Sequence, residues 1–347
     1  MRLGQLAKLS ISVICFYSGI TKLFHCLFPR KGLIMLAYHR IADLAPDPLR
    51  LAISPADFRR HMEHIASDYH ALSFSEALQH LSAETIAPNQ VVVTFDDGYA
   101  DNLNEALPIL QAWSIPAMIF LTVGPIDREI DLWFERITAS VMSTTAATLD
   151  LSEFNLGFWP LTDQSTRAHL VQTLIARSKA GSESEKEKLI AAVEKALGTG
   201  AKPLMLTWEQ IRSMQRQGIE FGCHTYSHPI LSRLDEEALQ REILSAKRRI
   251  EEELGESIFA FAYPNGGKED YNENVVALLA AGQFRAACTM IPGVNRVENP
   301  FALKRLGIDR DYVGYHGWFT RALFAAEMSG LFDVLFLRLF RKKSFAY

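Results

Sequence analysis

Cysteine is scarce in this chain: Cys15, Cys26, Cys223 and Cys288 stand far apart in 347 residues, with no CxxC pair. That spacing excludes a small secreted scaffold stapled by disulfides, and the scattered thiols point to a reducing compartment. Excess charge of either sign is missing too. The 36 Lys and Arg nearly balance the 40 Asp and Glu, for a net charge of −4, so charge gives no basis for nucleic-acid binding. A clean membrane-spanning run is also lacking. The uncharged stretch from Leu9 to Ile20, bounded by Lys8 and Lys22, falls short of the ~20 apolar residues that cross a bilayer. No small-x-small cleavage site follows it, which argues against a signal peptide. Basic residues on both sides, Arg2 and Lys8 before it and Lys22 after it, leave its orientation open. A short or tilted anchor, an interfacial amphipathic helix and a helix packed on the domain all fit. Membrane association of residues 1–30 is the expectation, at a bacterial inner membrane and, given the free thiols, on its cytoplasmic face.

What is present reads as an α/β protein. Hydrophobic residues make up 48% and charged residues 22% of the chain, an ordinary globular balance. Its length accommodates one α/β barrel of about 200–250 residues with additions. Residues 91–93, three valines, form a short β-branched run typical of a buried strand. Residues 32–39 form a second, ending in Tyr38-His39. Residues 54–67 have a helix pattern with Ser54 as cap and Pro55 at the first position. A helix over 104–113 and a strand over 117–122 continue a βαβ rhythm, which implies a parallel sheet covered by helices.

Residues 126–205 break that rhythm and are expected to form a mainly helical insertion. The Glu- and Lys-rich helix over 182–197 reads as a solvated face. The pattern resumes with Thr207 as a helix cap, a strand over 219–223, and an amphipathic helix over 235–254 closed by Gly255. A strand over 259–263 turns at Pro264-Asn265-Gly266-Gly267. A helix over 275–281 and strands over 286–289 and 303–308 complete a barrel spanning 31–310. The tail, 311–347, is apolar from Trp318 to Phe340 and ends in Arg341-Lys342-Lys343. It suits a second membrane-surface helix or a terminal helix docked on the barrel.

Chemistry concentrates at two strand ends. Asp96 and Asp97 follow the valine run, in Thr94-Phe95-Asp96-Asp97-Gly98. His224 and His228 follow the 219–223 strand, four residues apart, a spacing that lets two rings on one helical turn hold one metal. The C-terminal ends of barrel strands are where α/β enzymes place such groups. Two His and one Asp leave open positions and suit Zn²⁺, with Co²⁺, Fe²⁺ or Ni²⁺ as alternatives.

Thr94-Phe95-Asp96-Asp97-Gly98 and His224-Thr225-Tyr226-Ser227-His228 resemble the first two motifs of the polysaccharide deacetylase family, the NodB-homology or carbohydrate esterase 4 family. Phe261-Ala262-Tyr263-Pro264-Asn265-Gly266 resembles its third motif, and Tyr38-His39-Arg40 is similar to the exopolysaccharide-deacetylase branch. The resemblance covers about residues 32–125 and 204–310. It implies a distorted (β/α) barrel and metal-dependent removal of acetyl groups from an N-acetylated glycan or lipid-linked saccharide. It further implies Asp97, His224 and His228 as metal ligands and Asp96 as the base that takes a proton from a water activated by the cation. The backbone amide of Tyr263 is implied as an oxyanion donor.

Two departures stand out. Many members begin the third motif with an Arg that orients the base, and here that place is Ala262; Arg305 is the candidate substitute. The family's later Leu-x-His motif, source of the general acid, has no match. His39 is the first candidate for that role and His316 the second. His61, His64, His70, His80 and His169 read as surface or helix residues. Trp133 and Phe134 suit either a sugar platform or an anchor for the insertion, and Trp208 a core or cap position. Cys223 points away from the ligands. The competing readings are a C–N hydrolase of the same superfamily acting on a small amide, and an inactive glycan-binding barrel.

Overall fold

The computed structural model describes residues 3–128, 130–200, 203–296, 299–308 and 318–333. Its centre is a parallel sheet. Ile34–Tyr38 pairs with Gln90–Phe95, Ile34 opposite Val91 and Tyr38 opposite Phe95. All six residues of Gln90–Phe95 are buried, as a parallel strand covered on both faces requires. Outward from it follow Ala117–Leu121, Glu220–Cys223, Ala260–Ala262 and Ala286–Cys288. On the other side, Leu306–Gly307 pairs with Ile34–Tyr38, and the short His70–Ala71 adds to Gln90–Phe95. Leu303 bridges Cys288 while Leu306 lies opposite Leu36. Residues 303–307 therefore touch both ends of the sheet, which curls into the expected distorted (β/α) barrel.

The covering helices start where their caps say. Ser54 accepts a hydrogen bond from the Asp57 amide ahead of Pro55–Asp68. Thr207 and Gln210 form a capping box ahead of Trp208–Gln215, together satisfying two otherwise orphaned amides. Two π-helical turns interrupt the regular pattern, Asn102–Ala106 and Arg241–Ser245. The second lies inside the long helix that Asp235 caps and Gly255 ends.

Between the barrel strands, Trp133–Ser143, Gln164–Ala180 and Glu183–Leu197 pack together around Ile137, Val141, Leu170, Leu174, Ile190 and Val193. Thr148–Asp150 and Phe158–Pro160 pair antiparallel within this segment, a hairpin the sequence pattern did not indicate. Glu183–Leu197 buries Leu189, Ile190 and Val193, and on its polar side Glu194 and Glu187 receive the Arg136 guanidinium.

At the chain ends, Trp318–Ser329 docks on the barrel. Leu323, Phe324, Ala326 and Met328 are buried, packed against Leu3–Tyr17 and Pro55–Asp68, and Glu327 pairs with Lys8. Leu3–Tyr17 and Ile20–Leu27 meet at a 79° bend. Among the described residues no single helix is long and apolar enough to cross a membrane, although this bent pair passes by length and composition together. Arg2, His316 and the basic run 341–343 lie outside the described residues.

Candidate active site

The six residues Gln90–Phe95 deliver Asp96 and Asp97 to one end of the barrel, where the chain must turn. Asp97 takes a left-handed backbone, φ 72°, followed by Gly98 at φ 89°. Thr225 (φ 70°), His228 (φ 62°) and Asn265 (φ 59°) are left-handed as well. Non-glycine residues in this region each carry strain, and such strain gathers at functional sites. All three loops meet around one cleft of about 260 Å³, lined by His39, Asp96, Asp97, His224, His228 and Asn265, among others.

The two aspartates part company there. Asp96 lies in a bidentate fork with Arg305, both N–O distances 2.7 Å. Arg305 is fully buried and also donates from Nε to the Thr289 carbonyl and from Nη1 to Thr94 Oγ1. Burial opposes the Asp96 charge, but Arg305, His224 and His39 outweigh it and hold the carboxyl well below the usual range. Asp97 moves the other way: burial first, then Asp96 and Glu135, push it well above the carboxylate range. Its Oδ1 is buried without a hydrogen-bond partner. That orphaned oxygen lies 3.7 Å from His224 Nε2 and 3.6 Å from His228 Nε2. Two ligands about 2.1 Å from one tetrahedral zinc stand about 3.4 Å apart. Burial lowers both imidazole pKa values, which keeps lone pairs available. His224 Nδ1 donates to the Ala262 carbonyl at 2.7 Å and so fixes Nε2 as the ligand atom. A neutral imidazole pair around an unpartnered carboxylate oxygen fits a divalent cation, and Asp97, His224 and His228 are the candidate metal site.

His39 ends Ile34–Tyr38 and places Nε2 4.0 Å from Asp96 Oδ2. Burial lowers its pKa to about 4, against the opposing pull of Asp96. Tyr263 takes a different place from the one expected. Its N–H donates to the Cys288 carbonyl within the sheet, and its hydroxyl to the Phe301 carbonyl, so it offers no free donor to an oxyanion. Two residues on, Asn265 lines the cleft with its side-chain nitrogen buried and unpartnered. Trp133 Nε1 donates to the His228 carbonyl and the Phe134 ring packs edge-on against His228 at 5.3 Å. Both rings line the cleft and tie the insertion to the ligand loop.

Several contributors carried no sequence signal. Glu242, on a π turn, accepts from the Tyr226 and Ser227 amides and the Ser227 hydroxyl, clamping the loop between the histidines. Asn102, on the other π turn, donates to the His39 carbonyl. Lys179, at the end of Gln164–Ala180, reaches the cleft from the insertion, its pKa lowered by burial. Cys223 is buried with its thiol pushed up to about 12 by burial, and it is not in the ligand set. His61 and His64 lie on Pro55–Asp68 and are buried rather than at the surface.

A polysaccharide deacetylase family model matches residues 83–287. A poly-beta-1,6-N-acetyl-D-glucosamine N-deacetylase of Escherichia coli K12 is 25% identical over 124 residues, 34% of this chain and 18% of that protein. The chain thus spans under a fifth of that relative. Among solved structures, the Streptococcus pyogenes deacetylase PplD in complex with acetate aligns with TM-score 0.54 and 21% identity, over 82% of this chain and 95% of the other. IcaB from Ammonifex degensii aligns with TM-score 0.53 and 21% identity, over 86% and 98%. These two share the fold. With the family model spanning both the aspartate pair and the histidine pair, the chain belongs to the polysaccharide deacetylase family.

Proposed function

We propose that the protein removes N-acetyl groups from an amino-sugar-containing glycan or glycolipid by hydrolysis. The observation that carries this is the pairing, at one barrel end, of the Asp97/His224/His228 cluster with an Asp96 locked by Arg305. Those three residues would hold a divalent cation, zinc by preference with cobalt, iron or nickel as alternatives. When bound, such an ion polarises a carbonyl and lowers the pKa of water at the site.

The chain's own residues do the rest. Arg305 fixes the direction of the Asp96 carboxylate, which takes the proton from the attacking water. Asp96 held so low is a poor resting place for that proton. His39, 4.0 Å away with a pKa of about 4, receives it and gives it to the leaving sugar nitrogen. The products are acetate and a free amine. Asn265 Nδ2, buried without a partner, supplies the donor to the oxyanion formed at the carbonyl carbon. Trp133 and Phe134 wall the cleft and exclude water on one side.

The test is acetate release across a panel of N-acetylglucosamine oligomers and small acetamides. Release from the oligomers, rising with chain length, is the expected outcome. Release from small amides alone would move the assignment to a small-molecule C–N hydrolase, and no release from either would leave a glycan-binding barrel.

A further inference from the structure

A second cavity, of about 350 Å³, lies away from the cleft, at the 79° bend between Leu3–Tyr17 and Ile20–Leu27. Its walls come from that bend, from the end of Pro55–Asp68 and from Trp318–Ser329, with Thr21, Lys22, His25, His64, Asp68 and Arg321 among the polar residues. Three polar atoms in these walls have no partner among the described residues. Thr21 Oγ1 and His64 Nε2 are buried on residues only 4% and 7% exposed, and Arg321 Nε is the third. Arg321 lies 3.5 Å from Glu63, its one ion pair among the described residues, and its guanidinium lies over the Phe16 ring. Lys22 forms no ion pair among the described residues. The one carboxylate in the wall, Asp68, is engaged by His64 and Ser67. Lys22 and Arg321 thus bring two cations to a wall whose carboxylate is already engaged, and buried polar atoms without partners cost free energy unless a ligand supplies them.

The outer side of the same hairpin is apolar. Ile20, Leu23 and Leu27, at i, i+3 and i+7, form one stripe of Ile20–Leu27, and with Ile14, Tyr17 and Phe28 they are 47–64% exposed. Thr21 and His25 are the buried residues of that helix. Its polarity is inverted relative to a helix on a soluble protein, which turns its apolar stripe inward. An apolar stripe facing out beside a cation-rimmed polar cavity matches the two layers of a membrane interface.

We propose that this cavity binds the phosphate of an anionic membrane phospholipid while Ile20, Leu23 and Leu27 enter the acyl region, holding the protein on the bilayer surface. The inference is independent of the chemistry in the barrel cleft. The test is co-sedimentation of the full chain with phosphatidylcholine vesicles, with and without phosphatidylglycerol. Binding that depends on phosphatidylglycerol is the expected result. Lys22→Gln with Arg321→Gln should weaken it about 25-fold, about fivefold for each charge near the surface. Thr21→Val, isosteric in outline and relieved of an orphan hydroxyl, should melt no lower than wild type yet bind vesicles more weakly. Equal binding to both vesicle types would overturn the proposal, as would undiminished binding by the double variant. Saturable uptake of inorganic phosphate without vesicle binding would assign the cavity to a free anion instead. Dimerisation through the stripe, with no vesicle binding, would assign the surface to a second copy.

Discussion

Arg305 lies 209 residues from Asp96 in sequence and meets it in a buried two-bond fork. Removing one member of a buried ion pair strands the other, at about 3–5 kcal/mol. Arg305→Met should lower the unfolding free energy by that order and let Asp96 titrate closer to an ordinary carboxyl. Denaturant unfolding and a kcat/KM–pH profile together read both effects, and a stable variant with an unchanged acid limb would remove Arg305 from this role. Asn265→Ala should reduce kcat about 100-fold with little change in KM, because its donor acts on charge that develops only in the transition state. A loss confined to KM would make Asn265 a substrate contact. The carboxylates and histidines were legible as types in a pattern. Arg305 was named only as a candidate stand-in for the arginine missing at Ala262, and barrel closure is what brings it onto Asp96. Tyr263 shows the converse: a motif position says which loop is present, but the sheet bond to Cys288 decides that its amide is taken.

Elements hold the site in ways that periodicity does not reveal. A π turn is a backbone hydrogen-bond shift with no residue-type signature of its own, so neither Asn102 nor Glu242 stood out in the sequence. Glu242 reads there as one more acid on a charge-rich helix, yet it accepts three hydrogen bonds from the ligand loop. Glu242→Ala should weaken metal affinity about 10- to 100-fold, measured by competition with a chelator. Unchanged affinity would leave that loop to hold its own shape. Strand and helix positions were otherwise readable, because valine runs, Ser54, Thr207 and Gly255 each dictate a local geometry. The Pro55–Asp68 helix carries a pH-dependent contribution as well. Burial lowers the His61 pKa to about 3, against opposing Asp57. Below pH 6.5 the unfolded chain takes a proton there that the folded state refuses. Stability must therefore fall as pH drops from about 6.5 towards 3, by at most a few kcal/mol. His61→Leu should flatten that decline in denaturant titrations, and an unaltered slope would place its cause elsewhere.

At the scale of the whole molecule, the barrel brings four distant segments to one mouth: the ends of Ile34–Tyr38, Gln90–Phe95 and Glu220–Cys223, and the turn at Asn265. The helical insertion adds Trp133, Phe134 and Lys179 from the side. Trp133 and Phe134 were legible as a platform or an anchor, but Lys179 was not, since no motif covers the insertion. The chain ends carried several open readings; the buried face of Trp318–Ser329 favours docking, and the membrane placement of Ile20–Leu27 is the proposal made above. The central claim is that Asp97, His224 and His228 hold a cation beside which Asp96 drives amide hydrolysis. Metal content and acetate release from an N-acetylglucosamine oligomer, taken on the same preparations of wild type, Asp96→Asn and His224→Ala, test it most directly. Asp96→Asn is predicted to keep its metal and lose acetate release, and His224→Ala to lose both. Full metal occupancy in His224→Ala, or wild-type acetate release by Asp96→Asn, would contradict it.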